Sequence, residues 1–194
     1  RRPDIKIIAV EAAAAASFTA SLAAGKPVDA PVRPTLADGL AVGRVGERAF
    51  ALAAPRVDRV LAVDEQLLSL AVLRLLELEK TSCEGAGAAA LAAIMGAAGQ
   101  DLKGLKVVLL LCGGNIDPTV LHRVIDHGLA VDGRLWRFTA TVSDRPGGMA
   151  RLTQVIADAG ASVLEINHDR AFSGPEVFST TVEVTVETAD QDHI

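Results

Sequence analysis

The 194-residue sequence predicts an α/β protein with a parallel sheet in its first two thirds and a smaller antiparallel sheet in its last third. Short apolar runs alternate with helical patterns up to about residue 133, which is typical of parallel strands joined by helices. From Leu135 onward, apolar and polar residues alternate in two segments, which indicates half-buried strands. Half of the residues are hydrophobic and 22% are charged, so the chain has enough apolar residues for a packed core.

Three apolar runs in the first part are predicted strands: Lys6–Val10, Val57–Val63 and Val107–Leu111. The third run is unbroken, so we expect a fully buried central strand there. The segments between them predict helices at about Ala12–Ala24, after Asp64, and at Glu84–Met95. In the helix after Asp64, apolar residues recur at helical spacing: Leu68, Ala71, Val72, Leu75 and Leu78. Residues 31–46 are rich in Pro and Gly and predict an ordered loop with a short helix.

A further helix is expected directly after the third run. Asp117 is suited to be its N-cap and Pro118 its first residue, and Gly128 is expected to close it. Its apolar stripe consists of Val120, Leu121, Val124 and Ile125.

The last third predicts a β-α-β-β order. The first strand has Trp136, Phe138, Ala140 and Val142 on one side; the helix follows at Gly148–Ala159, and two strands follow at Ser162–His168 and Phe178–Glu187. This order is half of a ferredoxin-like fold, and Asp190–Ile194 is expected to open its second helix. The boundary is placed at Asp132-Gly133-Arg134, which gives domains 1–133 and 134–194.

Composition excludes several classes of function. The net charge of −5 and the pI near 5.4 argue against a nucleic-acid partner, which needs a basic face. No apolar stretch reaches the roughly 18 residues that cross a bilayer. Two cysteines without a signal peptide favour free thiols in the cytoplasm. The chain begins with Arg1 and not Met, which indicates that it starts inside a longer protein.

The segment Cys112-Gly113-Gly114-Asn115 is the first candidate site. It follows the predicted central strand, and open α/β sheets place their chemistry at the carboxyl ends of strands. Two glycines before a helix let a ligand approach the backbone, which favours an anion or cofactor pocket. A purely structural buried thiol is the alternative for Cys112.

Two further segments carry candidate residues for the same pocket. Glu84 precedes Gly85-Ala86-Gly87, although it would equally serve only to offset a helix dipole. The pair Asp38-Gly39 is a candidate too, with a plain turn as the alternative. His122 and His127 lie five positions apart and do not share a helix face, so a metal pair is not expected. No nucleotide-binding GxGxxG motif and no P-loop are present.

The second domain has one candidate ligand loop, Asp144-Arg145-Pro146-Gly147-Gly148, between its first strand and its helix. Such a loop is either a turn that starts a helix or a cradle for a carboxylate, because free N–H groups point outward there.

In chain order, these motifs resemble the pyridoxal-phosphate-dependent threonine dehydratase (threonine ammonia-lyase) family of fold type II. The matching segments are residues 8–11 (IAVE), 35–43 (TLADGLAVG), 83–89 (CEGAGAA) and 111–117 (LCGGNID). Residues Leu135–Glu187 resemble an ACT domain, a small amino-acid-sensing module, whose ligand loop would be Asp144–Gly148. The chain would then be the carboxyl part of a catalytic domain followed by most of an ACT domain.

The resemblance implies specific roles. Cys112 would face the pyridine nitrogen of pyridoxal 5′-phosphate, Glu84 would lie near the ring edge, and Asp38 and Gly39 would line the pocket together with Gly113, Gly114 and Asn115. The implied reaction is β-elimination from threonine or serine to a 2-oxo acid and ammonia, and the ACT domain would bind an amino-acid effector such as a branched-chain amino acid. Pairing of ACT domains would make the protein a homo-oligomer.

Two departures from the family pattern matter. The Schiff-base lysine, in a Ser-x-Lys-x-Arg-Gly context, is absent, as is the glycine-rich phosphate loop; none of the five lysines has that setting (Lys6, Lys26, Lys80, Lys103 and Lys106). The chain alone is therefore expected to be inactive. In the family's cation site Glu11 and Ala15 match, but Ser17 replaces an acid, so no metal site is expected. A non-catalytic amino-acid-binding or scaffold protein, and an enzyme similar to serine racemase, remain the alternatives.

Overall fold

The protein is described here by a computed structural model that covers residues 4–96, 98–168 and 178–194. It divides into two compact units, Arg1–Gly128 and Leu129–Ile194. The division lies shortly before the predicted boundary between residues 133 and 134. The α/β class predicted from the sequence is confirmed, since a parallel pair of strands with helices is followed by an antiparallel sheet.

The first unit is built on a parallel pair, β1 (Ile8–Ala12) and β2 (Arg59–Val63), with Ile8 opposite Arg59 and Ala12 opposite Val63. Its helices are α1 (Ser17–Ala24), α2 (Glu47–Ala53), α3 (Glu65–Leu78), α4 (Gly85–Met95), α5 (Ala98–Asp101) and α6 (Pro118–Val131), whose residues 129–131 already belong to the second unit, and Asp38–Leu40 form a 3₁₀ turn. Helices α2 and α5 were not predicted.

Both strands of the first unit begin two residues later than predicted. The reason is Asp58, whose carboxylate accepts hydrogen bonds from the Ile7 N–H (2.8 Å) and the Lys6 ammonium (3.0 Å). The Asp58 N–H also donates to the Ile7 carbonyl oxygen at 2.8 Å, so side-chain and backbone hydrogen bonds together join the two segments just before the strands. Helix α1 is also shorter than predicted, because Ala12 continues β1 and the helix begins only at Ser17.

The core of the first unit lies where α3 packs against α4. Leu68, Ala71, Val72 and Leu75 of α3 are buried, as the helical spacing predicts, and they meet the small residues Ala88, Ala89 and Ala92 of α4. Leu78 was expected in the same stripe but is 71% exposed. It is the last residue of α3, where the helix has passed its neighbour. Asp64 caps α3 as predicted, accepting from the Leu67 N–H at 2.9 Å.

The prediction of a buried central strand at Val107–Leu111 is wrong. These residues form neither strand nor helix, and the exposed fraction is 87% for Val108 and 81% for Leu110. A β-branched apolar run becomes a strand only when a neighbouring strand offers its N–H and C=O groups. In the described residues, neither β1 nor β2 pairs with this run.

Helix α6 starts as predicted and ends later. The Asp117 carboxylate caps it, accepting from the Thr119 N–H at 2.7 Å and from the Thr119 hydroxyl. The Thr119 hydroxyl, followed by the Thr119 and Val120 N–H groups, lowers the pKa of Asp117 below 3.8. This stabilisation is therefore complete above pH 3.8 and is lost as the pH falls through the lowered value. Gly128 was expected to close the helix, but α6 continues to Val131, and a Cβ atom at Gly128 would lie 3.2 Å from Leu73.

The second unit contains β3 (Leu135–Ser143), α7 (Gly148–Asp158), β4 (Ser162–His168) and β5 (Ser179–Glu187), in the predicted β-α-β-β order. The antiparallel sheet has the order β3-β5-β4. Four alternate residues of the central strand are buried, as the pattern predicts: Thr180, Val182, Val184 and Val186. Phe178, expected on the same side, precedes β5 and is 66% exposed. Residues 190–194 form one helical turn, as expected for a helix opening: the Ile194 N–H donates to the Asp190 carbonyl oxygen at 3.3 Å, and the Asp190 carboxylate accepts from the His193 N–H at 2.9 Å.

Among the residues that the structure describes, no helix combines the length and the apolar character that crossing a membrane requires.

Candidate functional site

Three segments of the first unit meet at the N-terminus of α4. They are the loop 35–40, the residues Cys83–Gly87, and the turn Cys112–Gly114 after the exposed apolar run. We call this meeting point the glycine junction, because its closest contacts are made at Gly85, Gly87 and Gly113. The junction brings together most of the residues that the sequence selected from distant positions.

Gly87 makes the tightest contact of the junction. A Cβ atom at this position would lie 1.6 Å from the Cys112 carbonyl oxygen and 2.7 Å from Sγ of Cys83. Any side chain would therefore force the 112–114 turn away from α4. The absence of a side chain at residue 87 is what allows the turn to lie directly on the helix.

Glu84 joins α4 to the turn in two ways. Its N–H donates to the Gly113 carbonyl oxygen at 2.9 Å, and its carboxylate lies against the same glycine. Gly113 has a φ of +84°, and a Cβ atom there would lie 2.2 Å from Oε1 of Glu84. Residue 113 must therefore be glycine both for its left-handed backbone and for the space that Glu84 occupies.

The loop 35–40 packs on the other side of Gly85. A Cβ atom at Gly85 would lie 2.4 Å from the Leu36 carbonyl oxygen, so loop and helix are in direct contact. A Cβ atom at Gly39 would lie 3.1 Å from that of Ala86 and 4.0 Å from Oε1 of Glu84. Asp38 is exposed and accepts from the Gly39 N–H at 2.7 Å, which holds the 3₁₀ turn in place.

The two thiols of the junction have opposite environments. Cys112 is exposed, whereas Cys83 is buried and its Sγ lies 3.9 Å from the Cys112 carbonyl oxygen. Burial raises the pKa of the Cys83 thiol, and the nearby Cys112 thiol and Glu84 carboxylate raise it further. The structural alternative, a buried inert thiol, thus describes Cys83, and the accessible thiol is Cys112.

We expect iodoacetamide at pH 8 to modify Cys112 in the folded chain while Cys83 stays unmodified, because the thiolate is the reactive form and must be accessible. Peptide mass spectrometry after short and long exposure measures both residues in one sample. Urea-unfolded chain is the control, in which both cysteines should react. Modification of Cys83 at a comparable rate in the folded chain would contradict this assignment.

Asn115 lies exposed beyond Gly114 and takes no part in the contacts just described. The sequence also missed Glu65, the first residue of α3, whose carboxylate accepts from the Thr35 hydroxyl at 2.5 Å and the Leu36 N–H at 2.7 Å. The only local signal is an acidic residue after the Asp64 cap, which any helix start would show.

The residues of the doubtful cation site have a structural use. Glu11 is buried, and its carboxylate accepts from the N–H groups of Phe18 (3.1 Å) and Thr19 (3.2 Å) and from the Thr19 hydroxyl. It therefore caps α1 from outside the helix, next to the buried Ser17. In the described part of the chain, no group of three or more His, Cys, Asp or Glu side chains is arranged to hold a metal ion.

Replacing Glu11 with Gln should lower the free energy of unfolding by about 1–3 kcal/mol, because the amide leaves a half-buried donor of α1 without an acceptor. Urea unfolding measures the change. Glu47→Gln is the matched control, since Glu47 begins α2 but is exposed and contacts only Arg44 at 3.3 Å in the described contacts. Equal losses in the two variants would contradict the capping role of Glu11.

The predicted ligand loop of the second unit borders an open hollow of about 570 Å³. Arg145, Pro146, Gly147 and Gly148 line it together with Arg151, Leu152 and Val155 of α7 and residues 140–143 of β3. Gly147 has a φ of +95°, and a Cβ atom at Gly148 would lie 1.9 Å from the Ser143 carbonyl oxygen. Asp144 instead points toward His168, with its Oδ1 3.8 Å from Nε2 of that residue.

The sequence was compared with protein families, curated proteins and solved structures. Residues 1–113 match the family model described as pyridoxal-phosphate dependent enzyme. An L-threonine ammonia-lyase of Geobacter sulfurreducens is 42% identical over 192 residues, which cover 99% of this chain and 48% of that protein. An L-threonine ammonia-lyase of Thermotoga maritima is 38% identical over 99% of this chain and 47% of its own length. The chain thus spans about half the length of these curated relatives.

Two solved structures have similar folds. The processed form of threonine deaminase isoform 2 from Solanum lycopersicum is 33% identical with a TM-score of 0.61, over 65% of this chain and 37% of that chain. Maize serine racemase is 29% identical with a TM-score of 0.57, over 66% and 40% of the two chains. Since the family model covers more than half of the residues, the chain belongs to the family of pyridoxal-phosphate-dependent enzymes.

Proposed function

We propose that this chain is part of a threonine ammonia-lyase, which converts L-threonine to 2-oxobutanoate and ammonia and L-serine to pyruvate and ammonia. The observation that carries the proposal is the glycine junction, where Glu84 of one segment meets the turn that contains Cys112 and Gly113. The names of the relatives that match 99% of this chain support the reaction of threonine.

The cofactor of the family is pyridoxal 5′-phosphate, and the junction has the chemistry to hold the ring side of that molecule. Cys112 offers an exposed thiol, which pairs with a ring nitrogen as a weak donor or acceptor. At Gly113 the space of a side chain is taken by the Glu84 carboxylate, which brings that carboxylate to the same turn as the thiol. When bound, the cofactor supplies an electron-withdrawing ring for elimination chemistry.

In this proposal Cys112 faces the pyridine nitrogen, Glu84 lies at the ring edge, and Asp38, Gly39, Gly113, Gly114 and Asn115 line the pocket. A thiol does not hold a ring nitrogen protonated as a carboxylate does. The residue at position 112 therefore moderates the electron demand of the ring and favours loss of the substrate's β-hydroxyl over side reactions. Glu84 is held by Gly113 and so would orient the ring rather than move freely.

The lysine that links the cofactor is proposed to lie in a part of the protein outside these 194 residues, so this chain alone would be inactive. The exposed run Val107–Leu111 supports this, because its composition suits a strand that further chain would cover. The proposal also places the enzyme in the cytoplasm, where a buried and an exposed thiol both stay reduced.

The test measures ammonia release from threonine and serine by the complete gene product, its Cys112→Ser and Cys112→Asp variants, and this chain alone. Serine keeps a neutral partner for the ring, so activity should persist, whereas aspartate should reduce elimination by about tenfold or more. This chain alone should release no ammonia. A complete gene product that binds amino acids without releasing ammonia would instead favour the non-catalytic alternative. Racemisation of serine without elimination would favour an activity like that of serine racemase.

We further propose that the second unit is an incomplete ACT domain that binds an amino-acid effector at Asp144–Gly148. The hollow there is lined by two arginines, Arg145 and Arg151, and by the apolar residues Val142, Leu152 and Val155. This lining suits a carboxylate that carries a branched aliphatic side chain. Calorimetry with isoleucine, valine, threonine and serine tests it, with Arg151→Gln as the variant; equal heats for all four amino acids would contradict a specific site.

Oligomer formation belongs to the same proposal. Strands β3 and β4 lie at the two edges of the sheet, so each has one side without a strand partner in the described residues. Such edges invite pairing with a second sheet. Sedimentation of the complete gene product should show a dimer or larger species, and a strict monomer would contradict the expectation.

A further inference from the structure

We infer that Glu65 is a positioning residue for the cofactor pocket: through Thr35 and Leu36 it holds the loop 35–40 against the N-terminus of α4 and thereby sets the place of Glu84. The inference deepens the proposed function and rests on it for the identity of the ligand. Its structural part stands on contacts within the first unit alone.

The contact between Glu65 and the loop is specific. Both carboxylate oxygens are used, Oε1 by the Thr35 hydroxyl at 2.5 Å and Oε2 by the Leu36 N–H at 2.7 Å. The Thr35 hydroxyl oxygen in turn accepts from the Ala37 N–H at 3.1 Å. Hydrogen bonds to a charged acceptor are stronger than neutral ones, and these are half-buried. Two residues 29 and 30 positions away along the chain are therefore tied to the start of α3.

A movement of the loop 35–40 is transmitted to the glycine junction because the two are in direct contact. A Cβ atom at Gly85 would lie 2.4 Å from the Leu36 carbonyl oxygen, which is too close for any side chain. The next residue of the loop, Ala37, is completely buried. A shift of the loop must therefore move the first turn of α4 or open a gap beside it. Glu84 immediately precedes that turn, and its carboxylate lies against Gly113. Glu65 itself takes no part in the contacts of Glu84, Cys112 or Gly113.

The variants are chosen to break the link without removing volume. In Glu65→Gln an amide N–H₂ replaces one carboxylate oxygen, so one loop donor meets another donor. Thr35→Val removes the hydroxyl at nearly constant shape, and Thr35→Ser keeps it as the conservative control. Glu47→Gln is the control for charge at a helix start, since Glu47 is exposed at the first residue of α2.

Two readouts are measured on the complete gene product, freed of its cofactor, at a temperature where every variant is folded, because the family's phosphate loop is absent from the 194-residue chain. The first is amide hydrogen exchange, read for residues 35–40, 84–88 and 112–114. The second is the concentration of pyridoxine 5′-phosphate that halves the rate of Cys112 alkylation. This probe has no aldehyde and so cannot bond to lysines.

Glu65→Gln and Thr35→Val should raise exchange in all three segments and raise the half-protecting concentration about tenfold, the effect of losing one charge-assisted hydrogen bond. The double variant should lose less than the sum of the two single effects, because both single variants break the shared bond between Thr35 and Glu65. Thr35→Ser and Glu47→Gln should stay within about twofold of the unsubstituted chain.

Faster exchange confined to residues 35–37 and the first turn of α3, with unchanged Cys112 protection, would overturn the inference and leave Glu65 as a local cap. Absence of protection in the unsubstituted chain would count against the proposed cofactor site. In that case the exchange at 84–88 and 112–114 still decides whether Glu65 positions the junction.

Discussion

Replacing Gly87 with Ala should lower the free energy of unfolding of the chain by about 3 kcal/mol, although the same change in an open helix position stabilises by up to about 1 kcal/mol. The added Cβ atom would lie 1.6 Å from the Cys112 carbonyl oxygen, a backbone atom that cannot rotate away. The turn 112–114 must therefore leave α4, and Glu84 loses its contact with Gly113. The sign of the effect thus reports whether this contact exists in solution.

Urea unfolding followed by alkylation of the buried Cys83 measures the stability of this part of the chain. Gly46→Ala is the matched control, since nothing lies within 4 Å of a Cβ atom there and its φ is −66°. Protection of Cys112 by pyridoxine 5′-phosphate should disappear in Gly87→Ala and persist in Gly46→Ala. A Gly87→Ala chain that is as stable as the parent would refute the close packing of the junction.

In the second unit, Gly148→Ala should produce the other large effect, a loss of about 2–3 kcal/mol in stability. A Cβ atom at residue 148 would lie 1.9 Å from the Ser143 carbonyl oxygen, so the end of β3 and the start of α7 must separate. The same residues line the proposed effector hollow, so binding of branched-chain amino acids should be lost as well.

Fluorescence of Trp136 measures this change, because it is the one tryptophan of the sequence and stacks on Phe138 in β3 at 4.5 Å. Gly147→Ala serves for comparison. A Cβ atom at residue 147 would have no atom within 4 Å, but the φ of this residue is +95°. That variant should lose only about 1–2 kcal/mol of stability, which is the cost of a non-glycine residue in the left-handed region. A larger loss in Gly147→Ala than in Gly148→Ala would show that backbone strain, and not the Ser143 contact, dominates in this loop.

Local patterns were sufficient for the parts of the fold that depend on neighbours in sequence. The caps Asp64 and Asp117 act three or fewer residues away, and both were predicted from residue type and position. The alternation of β5 was predicted as well, because one face of an antiparallel strand is buried whatever its partners are. The same holds for the apolar stripe of α3 up to Leu75.

The predictions that failed depend on distant groups. Val107–Leu111 has the composition of a strand, but strand formation also needs a partner edge, which composition does not reveal. Gly128 looked like a helix stop, whereas its role is set by the contact with Leu73. Asp58 joins the entries of the two parallel strands through hydrogen bonds across about fifty positions, and no local pattern indicates these bonds.

The candidate site shows the same division. Glu84, Cys112 and Gly113 were selected from their motifs, and the structure places them in contact. Their assignment to a cofactor remains a prediction that the alkylation and activity experiments test. Glu65 was missed because its two partners lie some thirty positions away, and such a distant contact produces no periodic pattern in the sequence.

Val108 and Leu110 are exposed to solvent, and copies of this chain are therefore expected to associate through them. Short segments with high β-propensity, low charge and no proline are the seeds of ordered aggregates, and Lys106 is the one charge that directly flanks this segment. Colloidal stability of the isolated 194-residue chain should therefore fall steeply with concentration. A lysine in place of Val108 would improve its solubility with little harm to the folded core, because that side chain is 87% exposed.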